Sequence, residues 1–243
     1  MDPHSLYRTW LDKTDDKELK KELSAILKDA SEIKDRFYRD LEFGTGGLRG
    51  IIGAGTNRMN VYTVRRATQG LADHLLGKGN TPSVCIAYDT RNKSLEFAQT
   101  AAEVLCGNCI KTYLFDSVHP TPMLSFAVRH MKADAGIVIT ASHNPKQYNG
   151  YKVYGADGGQ ITDRAAKEIL ACIENADYFS STKTIPLKEA LEKGLLMYIG
   201  EDVDSHYFEK IRSLSIRKEL IAEKADQLKI IYSPLHGSGN IPV

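Results

Sequence analysis

Apolar and polar residues follow two different periods along this chain. In "DKELKKELSAILKDA" (16–30), Leu19, Leu23, Ile26 and Leu27 recur at helical spacing among Lys, Glu and Asp, which makes one apolar stripe. Residues 4–40 therefore read as helices of an N-terminal extension packed on the main body, with a stripe too short for a coiled coil. The repeated glycines of "FGTGGLRGIIGAGTNRMN" (43–60) then break the pattern and predict a hairpin-like excursion with several backbone positions at positive φ. Asn60 is placed to cap a helix over 61–76, with Met59 and Val64 spaced as a hydrophobic staple and Gly77 as its stop.

From residue 83 short apolar runs alternate with helical segments. "SVCIAYDT", "CIKTYLF" and "AGIVITA" lack polar alternation, as strands buried on both faces do. Ser94 is expected to cap a helix running to about Cys106. Thr121 followed by Pro122 opens another helix, to about Lys132. "GYKVYG" adds a strand after an Asn149-Gly150 turn, and Thr162 caps the helix that follows. The fold class is α/β: a mainly parallel, mixed sheet with helices on both faces, preceded by the helical extension. In such sheets ligands collect beyond the carboxyl ends of the strands, where "YDTRNKS", "DSVHPTP" and "TASHNP" converge. Helices are expected around 202–212 and 216–225. "QLKIIYSPLHGSGNIPV" then reads as a strand entering a glycine-rich loop, so the chain is expected to be a piece of a longer protein.

A formal net charge of +1 supplies no basic field for nucleic acid, and no apolar run approaches the length of a membrane span. The N-terminus lacks the apolar core of a signal peptide. Four cysteines are too few for a disulfide framework at this length, which points to the cytoplasm. "CGNC" (106–109) has redox or metal half-site spacing, but no second pair accompanies it, and the cysteines read as packing residues.

The chemistry concentrates in "TASHNPKQYNGYKVYG" (140–155). Ser142 sits outside any G-x-S-x-G elbow, and His143, adjacent in sequence, is expected to point away from it; both weaken a serine-hydrolase reading. A phosphoserine suits the neighbours better. His143, Lys146 and Lys152 would offset up to about two negative charges, and Asn144 would donate to the group. Lys152, on a strand, is a candidate general acid/base. The residues alone leave the alternative open, in which Ser142 caps a turn and both lysines are solvated. Arg91 is read as the anchor of its own turn, and Arg49 as a pin for the glycine-rich loop.

This serine loop resembles that of the α-D-phosphohexomutases, the family of phosphoglucomutases and phosphomannomutases. "FGTGGLRG", "YDTRNKS" and "HPTP" agree in the same order, and "SPLHGSG" is similar to the opening of the family's second domain. The N-terminal helices look most like the branch containing glucose-1-phosphate and pentose-phosphate mutases. The resemblance implies three regions: a helical extension (1–40), the phosphoserine domain (41–225) and the start of a second domain (226–243). It implies an isomerase of carbohydrate metabolism, an intramolecular phosphotransferase. Phosphorylated Ser142 would give its group to glucose 1-phosphate, mannose 1-phosphate or a pentose phosphate. A sugar bisphosphate would form, and the other phosphate would return, exchanging positions 1 and 6 (or 5).

On this resemblance Ser142, Lys152, Arg49 and His143 are the catalytic set, and Asn144 and Lys146 contact substrate. Mg²⁺ would bind a phosphoserine oxygen of Ser142 together with aspartates of a D-G-D-x-D-R loop. That loop and the G-E-x-S-G sugar loop do not occur in these 243 residues, so the chain by itself is expected to have little or no activity. The competing reading is a non-catalytic phosphosugar-binding module. No nucleic acid or membrane partner is expected.

Overall fold

The computed structural model describes residues 2–44, 46–79 and 81–243. Three short helices come first: α1 (Pro3–Lys13), α2 (Lys17–Ala25) and α3 (Ala30–Phe37). Each begins on an aspartate, Asp2, Asp16 or Asp29, whose carboxylate accepts first-turn backbone N–H groups. The stripe read over 16–30 is interrupted. α2 ends at Ala25, so Leu23 and Ile26 are buried while Leu27 is exposed.

The extension is tied to the main body by aromatic packing. Trp10 is fully buried and meets Phe37, Tyr62, Tyr178 and Phe179 edge-on, at centroid distances of 5.1–5.9 Å. Polar bonds reinforce it. Arg36 pairs with Glu22 and Glu32 and donates to the Ala54 carbonyl, while Glu22 accepts from the Ala54 N–H. Gly55, at φ 128°, follows in a position where a Cβ would lie 2.7 Å from the Arg36 carbonyl. The glycine-rich stretch is thus moulded onto α3.

The stretch also forms β1 (Gly47–Ile51). The next helix, α4 (Val61–Leu76), starts where expected. The Asn60 side chain accepts from the N–H groups of Tyr62 and Thr63, the Thr63 hydroxyl accepts from the Asn60 N–H, and Met59 and Val64 are both fully buried. The Asn60 amide also donates to the Gly53 and Gly55 carbonyls, so one side chain orders both the loop and the helix.

The order then runs β2 (Ser83–Tyr88), α5 (Ser94–Gly107), β3 (Lys111–Phe115), α6 (Thr121–His130), β4 (Ala135–Ile139), β5 (Tyr148–Gly155) and α7 (Asp163–Asn175). It ends with α8 (Leu187–Glu192), β6 (Leu196–Ile199), α9 (Glu201–Ser213) and α10 (Lys218–Lys224). Among the described residues six strands form one sheet, in the order β1-β5-β4-β2-β3-β6. The four from β4 to β6 are parallel, and β5 and β1 are antiparallel to their neighbours. Val84, Ile86, Ile137, Ile139 and Tyr151 face a core shared with α4, α5 and α7. Cys85, Ala87, Phe115, Val138 and Tyr154 face the opposite core, against α6 and α9. Both faces are covered, which is why the central strands show no polar alternation.

Several local expectations are corrected. Asn149-Gly150 is not a turn but lies inside β5; Asn149 is fully buried and donates to the Asn92 carbonyl and the Ser94 hydroxyl. Gly150 serves a close approach instead, since a Cβ there would sit 2.6 Å from the Thr140 carbonyl. Ser94 does not cap α5. Its hydroxyl is committed to Asp89, and Lys93, at φ 65°, takes the cap position. α6 is capped by Pro120 rather than Thr121. Residues 228–234 form no strand: Ile230 and Ile231 are exposed and no sheet edge pairs with them. β6 and α8 escaped the sequence reading. No helix of the described residues is long and apolar enough to cross a membrane.

Trp10→Ala is expected to lower unfolding stability by about 3–5 kcal/mol, the usual cost of emptying a buried aromatic site. Urea unfolding followed by circular dichroism measures it. A loss below about 1 kcal/mol would mean that the extension contributes little to the fold.

Candidate functional site

The carboxyl ends of β2, β3 and β4 open into a cleft of about 850 Å³, a size suited to a small polar ligand. Asp89 to Asn92 come from the end of β2, His119 to Pro122 from the end of β3 and the start of α6, and Thr140, Ser142 to Asn144 and Lys146 from the end of β4. The three segments read as convergent in the sequence do converge.

Ser142 is exposed at the cleft rim with φ at 55°, a left-handed conformation unusual for a non-glycine residue. Its N–H donates to the Thr140 hydroxyl at 2.9 Å, and the Asn144 N–H closes a turn onto the Ala141 carbonyl. Arg91 holds the loop from below. It donates to the carbonyls of Ser142 (2.6 Å), Asn144 (2.5 Å), Pro145 (3.1 Å) and Tyr148 (3.1 Å), and its Nε lies 3.6 Å from the Asp89 carboxylate. Arg91 thus anchors more than its own turn: it sets the path of the whole serine loop. A strained residue persists where its surroundings over-determine it, and these bonds supply that constraint.

The neighbours of Ser142 are distributed unevenly. His143 Nδ1 lies 3.3 Å from Ser142 Oγ, so the expectation that the ring points away is corrected. The left-handed turn brings the two consecutive side chains together, where a strand would separate them. Among the described residues no carboxylate is bonded to His143, so no Ser-His-acid triad is assembled. Arg49, exposed on β1, donates to Asn144 Oδ1 at 3.4 Å, and Lys146 lines the cleft. Lys152 lies on β5 opposite Val138, which itself lines the cleft; paired positions share a face, so Lys152 is on the α6 side. Neither Arg49 nor Lys152 is among the residues lining the cleft.

Other site residues were not singled out from the sequence. His119 is almost fully buried and stacked on Phe115. Its Nδ1 faces the Ser117 carbonyl at 2.8 Å and its Nε2 faces the Asp204 carboxylate at 2.9 Å. This pair fastens α9 to the cleft wall. The Thr90 hydroxyl donates to the His236 carbonyl, and His236, Gly237 and Ser238 line the mouth of the cleft. The histidine in "HPTP" and the loop "SPLHGSG" were the signals available.

Among the described residues the cleft lining contains a single carboxylate, Asp89, and it already accepts from the Arg91 N–H and the Ser94 hydroxyl. Mg²⁺ prefers near-octahedral oxygen ligation, and these residues do not by themselves provide it. Of the "CGNC" cysteines, Cys106 is buried, with desolvation pushing its thiol pKa up, while Cys109 is exposed. Cys85 is pushed up to about 12 by burial. All four cysteines are free of disulfides; Cys85 and Cys106 pack in the interior as read, whereas Cys109 is exposed and does not.

Residues 40–179 match the family model described as phosphoglucomutase/phosphomannomutase, alpha/beta/alpha domain I. A phosphoglucomutase of Staphylococcus haemolyticus (strain JCSC1435) is 41% identical over 208 residues, 85% of this chain and 36% of that protein. One from Staphylococcus aureus (strain USA300) is 36% identical over 239 residues, 96% of this chain and 41% of that protein. The chain therefore spans well under half the length of these relatives. A crystal structure from Thermus thermophilus, described as a phosphomannomutase, superposes with a TM-score of 0.62 at 32% identity, over 75% of this chain and 38% of that one. The open form of the Paramecium phosphoglucomutase pp63/parafusin shares the fold at a TM-score of 0.63 and 14% identity, over 84% of this chain and 41% of that one. With the serine loop, the convergent strand ends and these matches together, the chain belongs to the phosphoglucomutase/phosphomannomutase family and contains its alpha/beta/alpha domain I.

Proposed function

We propose that this chain is the phosphoserine-bearing part of a sugar-phosphate mutase, in which Ser142 donates a phosphoryl group to a sugar monophosphate and recovers one from the resulting bisphosphate. The observation that carries the reading is the presentation of Ser142. An exposed hydroxyl is held at the rim of an open cleft of about 850 Å³ by bonds made to its backbone, which leaves Oγ accessible for modification beside His143.

Phosphoryl transfer depends chiefly on positioning and charge neutralisation. Within the chain, Arg91 does the positioning through backbone carbonyls. His143 is within reach of Oγ to exchange a proton or to offset charge, and Arg49 and Lys146 extend the positive surroundings through Asn144 and across the cleft. Lys152 is proposed as the general acid/base, working from the α6 side of β5, and Asn144 and Lys146 as contacts to the sugar phosphate.

Residues 1–40 are proposed as the extension, 41–225 as the phosphoserine domain and 226–243 as the start of a second. Glucose 1-phosphate, mannose 1-phosphate and a pentose phosphate are the candidate substrates. The oxygens that would complete Mg²⁺ ligation beside Ser142 are assigned to residues outside this chain. Four unpaired cysteines support a cytoplasmic setting.

Incubation of the full-length protein with glucose 1,6-bisphosphate and Mg²⁺ is expected to add one phosphate, mapped to Ser142 by intact mass and peptide analysis and absent in Ser142→Ala. A phosphate that maps elsewhere, or none in the full-length protein, sinks the reading. The 243-residue chain alone is expected to interconvert glucose 1-phosphate and glucose 6-phosphate at no more than a trace rate in a coupled assay; near-normal turnover would overturn the assignment of essential groups outside the chain. Arg91→Ala removes charge-assisted hydrogen bonds worth about 1.5–3 kcal/mol each at most. It is expected to raise hydrogen exchange across residues 142–148 selectively. Unchanged exchange there would show that the loop holds its shape without the guanidinium.

A further inference from the structure

We infer that His130, Asp202 and His206 form a transition-metal site of the zinc class that clips α9 to α6, apart from the serine cleft. His130 is the last residue of α6, and Asp202 and His206 stand one turn apart on α9. One ligand atom from each can be chosen so that all three lie within 4.8 Å of one another. The His130 and His206 rings are 4.7 Å apart between centroids, tilted by 40°.

The two histidines are partly set in place. His206 Nδ1 donates to the Asp202 carbonyl at 2.7 Å, which leaves Nε2 as the ring atom available to a metal; a backbone carbonyl often orients metal-binding histidines in this way. The His130 ring stacks on Phe126 at 5.3 Å, and Tyr207 meets Phe126 edge-on at 5.5 Å.

Two imidazoles and one carboxylate suit a borderline ion such as Zn²⁺, with water completing a tetrahedron, and not Mg²⁺, which favours oxygen. Bonds of about 2.0–2.2 Å to a tetrahedral ion put ligand atoms roughly 3.5 Å apart. All three residues are exposed, so side-chain rotation closes the remaining ångström or so without moving either helix. The clip would reinforce a joint that already matters to the cleft. α9 carries Asp204, which holds His119, and α6 begins at Thr121 in the cleft lining.

The test titrates the chain with Zn²⁺ by calorimetry and with Co²⁺ by visible absorption, for the wild type, His130→Ala and His206→Ala. One equivalent should bind the wild type, with a Co²⁺ spectrum free of thiolate charge transfer. Each variant should bind about tenfold or more weakly, in keeping with the loss seen even for outer partners of metal ligands. Both substitutions are at exposed positions, and matching melting temperatures in EDTA check that the variants are folded. The proposal is overturned by no saturable binding to the wild type, by thiolate bands, or by binding that either variant weakens less than tenfold. Retention in His130→Ala alone would mean a site confined to α9, with no clip.

Discussion

Four carbonyls of a single loop, those of Ser142, Asn144, Pro145 and Tyr148, turn toward one guanidinium. Arg91 occupies its donors in shaping backbone and leaves the serine hydroxyl alone. A lysine cannot span such a set, because its compact ammonium lacks the planar fork that reaches several acceptors at once. The left-handed φ of Ser142, the turn to Asn144 and the closeness of His143 all depend on that grip. Asp89 supports the arginine from the end of the adjacent parallel strand, so the loop is referenced to the centre of the sheet.

The same economy appears on the N-terminal side. Asn60 caps α4 and fastens Gly53 and Gly55, while Glu22 and Arg36 hold Ala54 between them. The glycine-rich stretch thus reaches β1 already ordered by its neighbours. β1 then presents Arg49 toward Asn144 across the antiparallel join with β5. The helical extension therefore bears on the serine loop through a chain of contacts, although none of its described residues lines the cleft.

Much of this was legible in the sequence because burial leaves strong marks. β2, β3 and β4 lack polar alternation because helices cover both faces, and that feature, with the helices alternating between them, predicted a parallel sheet with chemistry at its carboxyl ends. β6 was missed for the converse reason: it is a four-residue edge strand in which Met197 and Tyr198 stay exposed, so it carries little pattern. Asn149-Gly150 misled because the pair favours turns locally, whereas here tertiary packing overrides the preference. The serine, its histidine and the two lysines were found by residue type and by likeness to a family. Their spacing was hidden, because it depends on the folded backbone: the near contact of His143 follows from one φ angle, and the His119–Asp204 pair joins residues 85 positions apart.

Gly150 has a further consequence. Because it carries no side chain, β5 comes so close to the end of β4 that Thr140 donates its N–H to the Gly150 carbonyl and backbone nearly touches backbone. The height of the serine above the sheet is therefore gauged by main chain against main chain, and no core side chain intervenes as a spacer. Repacking the two cores would alter how firmly the protein holds together while leaving the hydroxyl at the same elevation.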